Sequence, residues 1–398
     1  MEAPTAHPAI SIAGCGAVTT LGLGVERLEQ ALLGNASGLR VCPGLAGKGY
    51  SSAVAGQVPE PVFEQLRDRD ATHADARAFL LANAALSEAV LSARGLEAVS
   101  PSRRALVLST TKADMDALER LFRREPCSAA ARRHIQPSLL AEDLAAAQGV
   151  AGPVQCVSAA CISGLLALKQ GALLIRRGRA DAVFVAGVDL LSHFVLSGFT
   201  TLKSLDAEGC RPFDRDRGGL SLGEGAGALV LARRELAPPR AISVRGWGVS
   251  DDANHLTGPS RDGSGLALAI SRALTSGGAS AEEIDYLHAH GTGTSYNDAM
   301  ESRALRTVFG GQVPPFGSSK GMLGHTLGAA GILETILCLI ALRAQTLPGT
   351  PRLREPDPAV PASVVATPRP AERLRKLLKV NCGFGGTNAA VLLERNGE

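Results

Sequence analysis

The stretch 154–168, VQCVSAACISGLLAL, opens as a short β-like run and closes as an apolar helix. Cys161 sits at the junction, flanked by Ala159, Ala160, Ser163 and Gly164. A thiol among such small neighbours has two readings. One is a buried spacer, since cysteine is among the residues most often found inside a fold. The other is a nucleophile: free amides and the macrodipole at a helix start favour the thiolate, and small side chains let a substrate reach the sulfur. The stretch alone leaves both open.

Working outward, short β-rich runs alternate with longer Ala/Leu-rich helical runs, the pattern of a mixed or parallel sheet covered by helices. AISIAGCGAVT (9–19), RALVLST (104–110), DAVFVAGVD (181–189), GALVLARR (227–234), AISVRGWGVS (241–250), IDYLHAHG (284–291) and NAAVLLER (388–395) read as strands. Helical periodicity is clear over 75–95, 164–178, 265–278 and 331–345. RRELAPPRAISV (233–244) places two prolines between strands, which predicts two halves, 1–235 and 236–398. No repeat is visible by identity, so duplication is suggested only by the order of elements.

The chain has 398 residues, 45% of them apolar, enough for two domains or one large duplicated α/β unit. A net charge of +3 is too small to argue for nucleic acid. The eight cysteines show neither CxxC pairs nor zinc-ligand spacing. MEAPTAHPAISIAG has no basic n-region followed by an apolar h-region, so no signal peptide is expected. VFVAGVDLLSHFVLSGF (183–199) is the longest apolar stretch, but Asp189 and His193 interrupt it, so no membrane span is expected. The natural reading is a cytoplasmic protein with reduced thiols.

Three further islands carry chemistry. HAHGTGTSYND (288–298) puts His288 and His290 two apart after a strand, with Asp298 as the candidate third ligand a metal would need. GSSKGMLGHTLGAAGILE (317–334) offers Lys320 and His325 on a glycine-rich turn before a long helix. Its order is not GxxxxGK[ST], which argues against nucleotide phosphate binding. NCGFGGTN (381–388) is a tight turn around Phe384 that either aims amides at an oxyanion or connects two strands. Together these supply a nucleophile, imidazoles, an ammonium and an amide-rich turn, the set that acyl transfer with carbanion stabilisation requires.

Taken in order, SAACISG around Cys161, CRPFDRDRGGLSLGEGAGALVL (210–231), AHGTGT with His290, SSKGMLGHTLGAAG with Lys320 and His325, and GFGGTN with Phe384 resemble an elongating β-ketoacyl-[acyl carrier protein] synthase of the thiolase superfamily, over about residues 9–394. The resemblance implies a five-layer αβαβα sandwich of two similar halves, with Cys161 at the N-terminus of a buried helix. It implies decarboxylative Claisen condensation: Cys161 takes an acyl chain from an acyl carrier protein, and malonyl-carrier loses carbon dioxide to an enolate that attacks the thioester. His290 and His325 would bond the thioester oxygen, Lys320 would support His325, and Glu301 would pair within that network. The amides of Cys161 and Phe384 would form an oxyanion hole, with Phe199 and Phe384 as gating rings. No metal or organic cofactor is implied. Two departures stand out: NCGFGGTN is one residue shorter than the NxFGFGGTN of many relatives, and TGTSYND lacks the proline and glycine often found there.

The resemblance also implies partners. A carrier would dock on a basic rim, for which Arg67, Arg69, Arg123, Arg124, Arg132 and Arg133 are the candidates. A homodimer is expected through sheet edges, with DAVFVAGVDLLSHFVLSGF (181–199) as the element, or a heterodimer with a chain-length-factor-like subunit. ALVLSTTKADMDAL (105–118) and AACISGLLAL resemble aryl polyene and related type II polyene synthases more than housekeeping fatty acid synthases. Rival readings are a non-catalytic chain-length factor, which usually lacks the cysteine; a thiolase, with Cys382 near the place of its second cysteine; and a cysteine hydrolase, which the motif order fits poorly.

Overall fold

The computed structural model describes residues 10–238 and 240–396. Ten strands lie along one continuous path: β1 (Ile10–Thr19), β2 (Arg104–Ser109), β3 (Val154–Val157), β4 (Ala182–Asp189), β5 (Gly225–Arg233), β6 (Ile242–Asp251), β7 (Tyr286–His288), β8 (Phe316–Gly317), β9 (Lys376–Cys382) and β10 (Thr387–Arg395). Their spatial order is β8-β7-β9-β10-β6-β1-β5-β4-β2-β3. The first five strands and the last five repeat one pattern. In each set the second strand pairs in parallel with the third and the fourth, and the fifth runs antiparallel between the fourth and the first. Among the described residues the two sets join through Ile10↔Val244, Ser11↔Ser243 and Ile12↔Ile242 of β1 and β6.

The main helices are α1 (Arg77–Ser92), α2 (Pro137–Ala147), α3 (Ser163–Arg176), α4 (His193–Thr201), α5 (Ser264–Gly277), α6 (Ser295–Phe309) and α7 (Ala330–Ala344). Strand alternation sorts them into layers, because successive side chains leave opposite faces. On β4, Phe184, Ala186 and Val188 pack with α1 and α2, while Val183 and Val185 pack with α3 and α7. On β10, Val391 and Leu393 join the same central core, whereas Ala390 and Leu392 pack with α5 and α6. The result is the five-layer thiolase-type sandwich, with α3 and α7 between the two sheets.

α7 is covered all round and, apart from Glu334 and Thr335, its buried residues carry no polar side chain; every residue from Ala330 to Leu342 is buried. With its preceding turn (327–344) it is long and apolar enough to cross a membrane, but it is the central helix of this core. α3 and α7 touch at glycines: a Cβ on Gly164 would lie 2.8 Å from Gly331 Cα. That crossing brings together the chain just before each helix.

The stretch 181–199 behaves differently from its expected role as a subunit-pairing edge. It splits into β4, hydrogen-bonded on both sides and fully buried, and the separate helix α4. Among the described residues the path ends at β8 and at β3, whose one strand partner is β2, so β3 offers an open edge.

Candidate active site

Cys161 lies two residues ahead of the first helical residue of α3 rather than within its first turn. Ala160 before it has φ +47°, in the left-handed region, which costs a residue with a Cβ roughly 1–2 kcal/mol. Ser163 stabilises this bend: its Oγ accepts from the Ala159 amide at 2.8 Å and donates to the Ala160 carbonyl at 2.6 Å. The thiol ends up 6% exposed, at the base of two cavities.

His290 follows β7 on a loop held by acids from α6. Glu301 accepts the His290 and Gly291 amides at 2.7 and 2.6 Å, and Asp298 accepts those of Thr292 and Gly293 at 3.1 and 3.2 Å. The three-residue spacing of Asp298 and Glu301 puts both on one helical face. Glu301 therefore shapes the loop backbone and does not join the lysine network expected of it. Burial raises its carboxyl to about 7, against those amide bonds.

His325 precedes α7 and is fastened to the segment before β5. Its amide donates to the Ser221 carbonyl at 2.7 Å, and the Gly223 amide donates to its own carbonyl at 3.0 Å. Its Nε2 is 3.0 Å from Cys161 Sγ. The His290 and His325 rings meet edge to face with centroids 5.3 Å apart.

Lys320 is buried and reaches His290, not His325. Its Nζ donates to the His290 carbonyl at 2.8 Å and lies 3.2 Å from Nδ1. Its counter-ion is Glu334 of α7, 2.5 Å away, an acid that the sequence reading passed over. The signal was a lone charge in the apolar run GILETILCL, which a buried helix accepts only with a partner. Asn381 completes the set, with Nδ2 3.0 Å from His290 Nδ1 and 2.8 Å from Glu334 Oε2.

These contacts decide where the imidazole protons sit. Lysine and the amide nitrogen can only donate, so His290 Nδ1 accepts and its proton is on Nε2. His325 Nδ1 accepts from the Leu327 amide at 3.3 Å, which also leaves its proton on Nε2. Burial, reinforced by the Lys320 charge, holds both imidazoles well below their ordinary pKa, so both are neutral donors. Burial would raise Glu334, but Lys320 and Lys379 outweigh it and keep the carboxylate well below its ordinary range.

Cys161 departs from the expectation of a thiolate at a helix start. Burial pushes its thiol up to about 11, against Lys320, the Phe384 amide and Lys112. The glycine turn lies close beside it: a Cβ on Gly383 would come within 3.4 Å of the Cys161 amide nitrogen. The turn, whose Phe384 amide is among the groups that lower the thiol, therefore lies beside Cys161, although it also links β9 to β10.

Cys382 lines the same cavity as Cys161, but burial holds its thiol well above the ordinary value, and no imidazole bonds it among the described residues. Asp298 is occupied by the loop amides and is not a ligand beside His290. The donor atoms that do converge, within 4.8 Å, are those of Cys161, His290 and His325. The Lys320 ammonium against His290 already supplies a positive charge there.

One cavity, about 350 Å³, contains Cys161, both imidazoles, Thr292 and Thr294. The other, about 730 Å³, is lined by Lys112, Phe122, Phe194 and again Cys161. Phe199 and Phe384 line both, their rings stacked 5.6 Å apart. Of the candidate docking arginines, Arg123 stands on the rim of the larger cavity but is paired with Glu125 at 2.8 Å. Arg67 pairs with Glu60, and Arg133 with Glu142 and Asp143. Arg69, Arg124 and Arg132 are exposed and carry no ion pair among the described residues.

Two duplicated sheets around crossing central helices, with a cysteine and two imidazoles at the crossing, define the class as a thiolase-fold protein. The chain belongs to the β-ketoacyl synthase family: the family's N-terminal domain matches residues 7–237 and its C-terminal domain residues 242–354. It is 33% identical to the tetracenomycin polyketide synthase ketoacyl synthase alpha subunit of Streptomyces glaucescens, over 98% of each chain. Among solved structures it is similar to the ishigamide ketosynthase/chain length factor, with TM-score 0.89 and 32% identity, covering 98% of this chain and 100% of that one. It is also similar to the ketosynthase ApeO in complex with its chain length factor ApeC from Xenorhabdus doucetiae, with TM-score 0.85 and 30% identity over 100% of both chains.

Proposed function

We propose that this chain is a catalytic β-ketoacyl-[acyl carrier protein] synthase whose nucleophile is Cys161. The observation that carries this reading is His325 Nε2 at 3.0 Å from Cys161 Sγ, with His290 also set as an Nε2–H donor at the same point. In the first half-reaction Cys161 displaces the carrier's thiol from an acyl thioester, and the thiol proton leaves with the departing carrier. The Cys161 and Phe384 amides bear the charge of the tetrahedral intermediate. Malonyl-carrier then loses carbon dioxide, and the two Nε2–H groups hold the enolate oxygen. The enolate carbon attacks the Cys161 thioester; the intermediate expels the cysteine thiolate, which takes a proton from water. Lys320 and Glu301 act as positioning residues.

Two cavities meeting at one sulfur suit two substrates, a carrier arm in the smaller and an acyl chain in the larger. Phenylalanines lining the larger cavity, with the local resemblance of residues 105–118 to polyene synthases, support an unsaturated or aryl-capped chain as substrate. The repeated strand order supports the division into halves 1–235 and 236–398. The free edge of β3 supports pairing with a second copy or a chain-length-factor-like subunit, and the similar ApeO is found in complex with its chain length factor. A purely non-catalytic partner role is the second reading, and the complete Cys161, His290 and His325 set weighs against it. The test is incubation with acyl- and malonyl-carriers of graded chain length, followed by mass spectrometry of products. Elongated 3-oxoacyl-carrier and release of carbon dioxide are expected; neither appearing, alone or with a partner subunit, refutes catalysis.

A further inference from the structure

Lys379 is a buried lysine that the mechanism above does not use. It lies on β9 with 0% exposure, and its Nζ is 2.8 Å from Glu334 Oε2. The Val380 and Ala289 carbonyls are its other acceptors. Glu334 Oε1 is meanwhile 2.5 Å from Lys320. One buried carboxylate thus serves two ammonium groups. Lys320 and Glu334 alone would make a neutral pair; Lys379 turns it into a trio of net positive charge. Burying an extra charge is costly, and an apolar side chain would fill the same space without that penalty, so packing does not account for Lys379. The carboxylate oxygen it touches also accepts from Asn381, whose Nδ2 lies 3.0 Å from His290 Nδ1.

We propose that Lys379 is a positioning residue for the condensation, acting through Glu334 on His290. It keeps the carboxylate ionised and stationary between two cations. Lys320 and Asn381 then keep their hydrogens on His290 Nδ1, and Nε2–H stays directed at the thioester oxygen. The titratable groups that feel Lys379 are Glu334, Lys320, the imidazoles of His288, His290 and His325, and the thiols of Cys338 and Cys382. Of the acids among these, only Glu334 carries a charge near neutral pH, because burial pushes the Cys338 and Cys382 thiols far up. This inference rests on the condensing reading of the site.

The test uses the full chain labelled with ¹⁵N at its eight histidines, with the His290 signals assigned by their loss in His290→Gln. Between pH 7 and 8 the wild type should show His290 protonated on Nε2 and bare on Nδ1. Lys379→Met, neutral and similar in length, should give mixed tautomers. Its malonyl-carrier decarboxylation should fall about 10- to 100-fold in kcat, the range for losing an outer partner that orients a working imidazole. KM and the rate of Cys161 alkylation should not change. Adding Lys379→Met to Glu334→Gln should cost no more than Glu334→Gln alone, since the lysine acts through that carboxylate. Wild-type kcat in Lys379→Met, or additive losses in the double variant, would overturn the proposal. If Lys379→Met does not fold, the wild-type spectrum decides: a proton on His290 Nδ1 would refute it. Wild type that never decarboxylates malonyl-carrier refutes the condensing reading instead, and the tautomer measurement still judges Lys379.

Discussion

The ionisation of Cys161 sets a helix start against burial, and the two predict opposite pH behaviour. Raising the thiol from 9.0 to about 11 disfavours the thiolate by about 3 kcal/mol. A helix macrodipole is worth about 0.3–1 kcal/mol and at most about 2 in partly buried settings. Cys161 precedes the first turn of α3, where that field is weaker, so burial wins. At pH 7 roughly one molecule in ten thousand then carries the thiolate. The assay is alkylation by iodoacetamide from pH 6 to 10.5, followed by peptide mass spectrometry that separates Cys161 from the exposed Cys156. The Cys161 rate should rise about tenfold per pH unit without levelling off below about pH 10. Lys320→Met should slow it at every pH, because Lys320 is the largest influence opposing burial. A plateau below pH 8 would refute the reasoning and restore the preformed thiolate.

Cys161→Ala should abolish condensation yet leave slow malonyl decarboxylation, measured as carbon dioxide release, because both imidazoles remain. His290→Ala and His325→Ala should each lower decarboxylation by roughly a hundredfold to a thousandfold, the usual effect of losing one preorganised donor, with acylation of Cys161 followed by intact mass impaired less. Glu301→Gln should lower stability by roughly 1–3 kcal/mol in chemical denaturation, because its amide group would face the His290 or Gly291 donor that an oxygen now accepts. Arg123→Glu with Arg124→Glu should raise KM for carrier substrates and flatten its dependence on salt, since steering between exposed charges is screened over about 8 Å at physiological strength; unchanged carrier kinetics would remove this rim from the docking surface.

What the sequence made legible were the elements whose apolar residues repeat at a single period. β1, β4, β5, β6 and β10 fall within a few residues of the runs 9–19, 181–189, 227–234, 241–250 and 388–395, and α1, α3, α5 and α7 match their periodic stretches. β9 was missed because KLLKVNC sets Lys379 and Asn381 where a buried strand would carry apolar residues. α6 was missed for a related reason. Its inward face carries Asn297, Asp298, Glu301 and Ser302 beside Met300 and Leu305, so polar residues occupy positions that hydrophobic periodicity counts as solvent.

These two omissions concern the same part of the molecule, and the cause is physical. A buried polar side chain is stable only against a specific partner, and that partner sits elsewhere in the chain: Lys379 against Glu334, Glu301 against the His290 loop. Motif order could name Cys161, His290 and His325 because each ends a regular element. It could not say which acid Lys320 meets, since that depends on how α7 lies across the sheet bearing β9. The glycines behave alike. Gly164 and Gly331 read as ordinary residues of two helices, yet their contact lets α3 and α7 cross closely enough to put a sulfur beside an imidazole. A larger residue at Gly331 would separate the helices, because a Cβ there already comes within 2.6 Å of the Leu165 amide nitrogen. The chemistry of this site thus depends on a packing contact between two glycines that carry none of it.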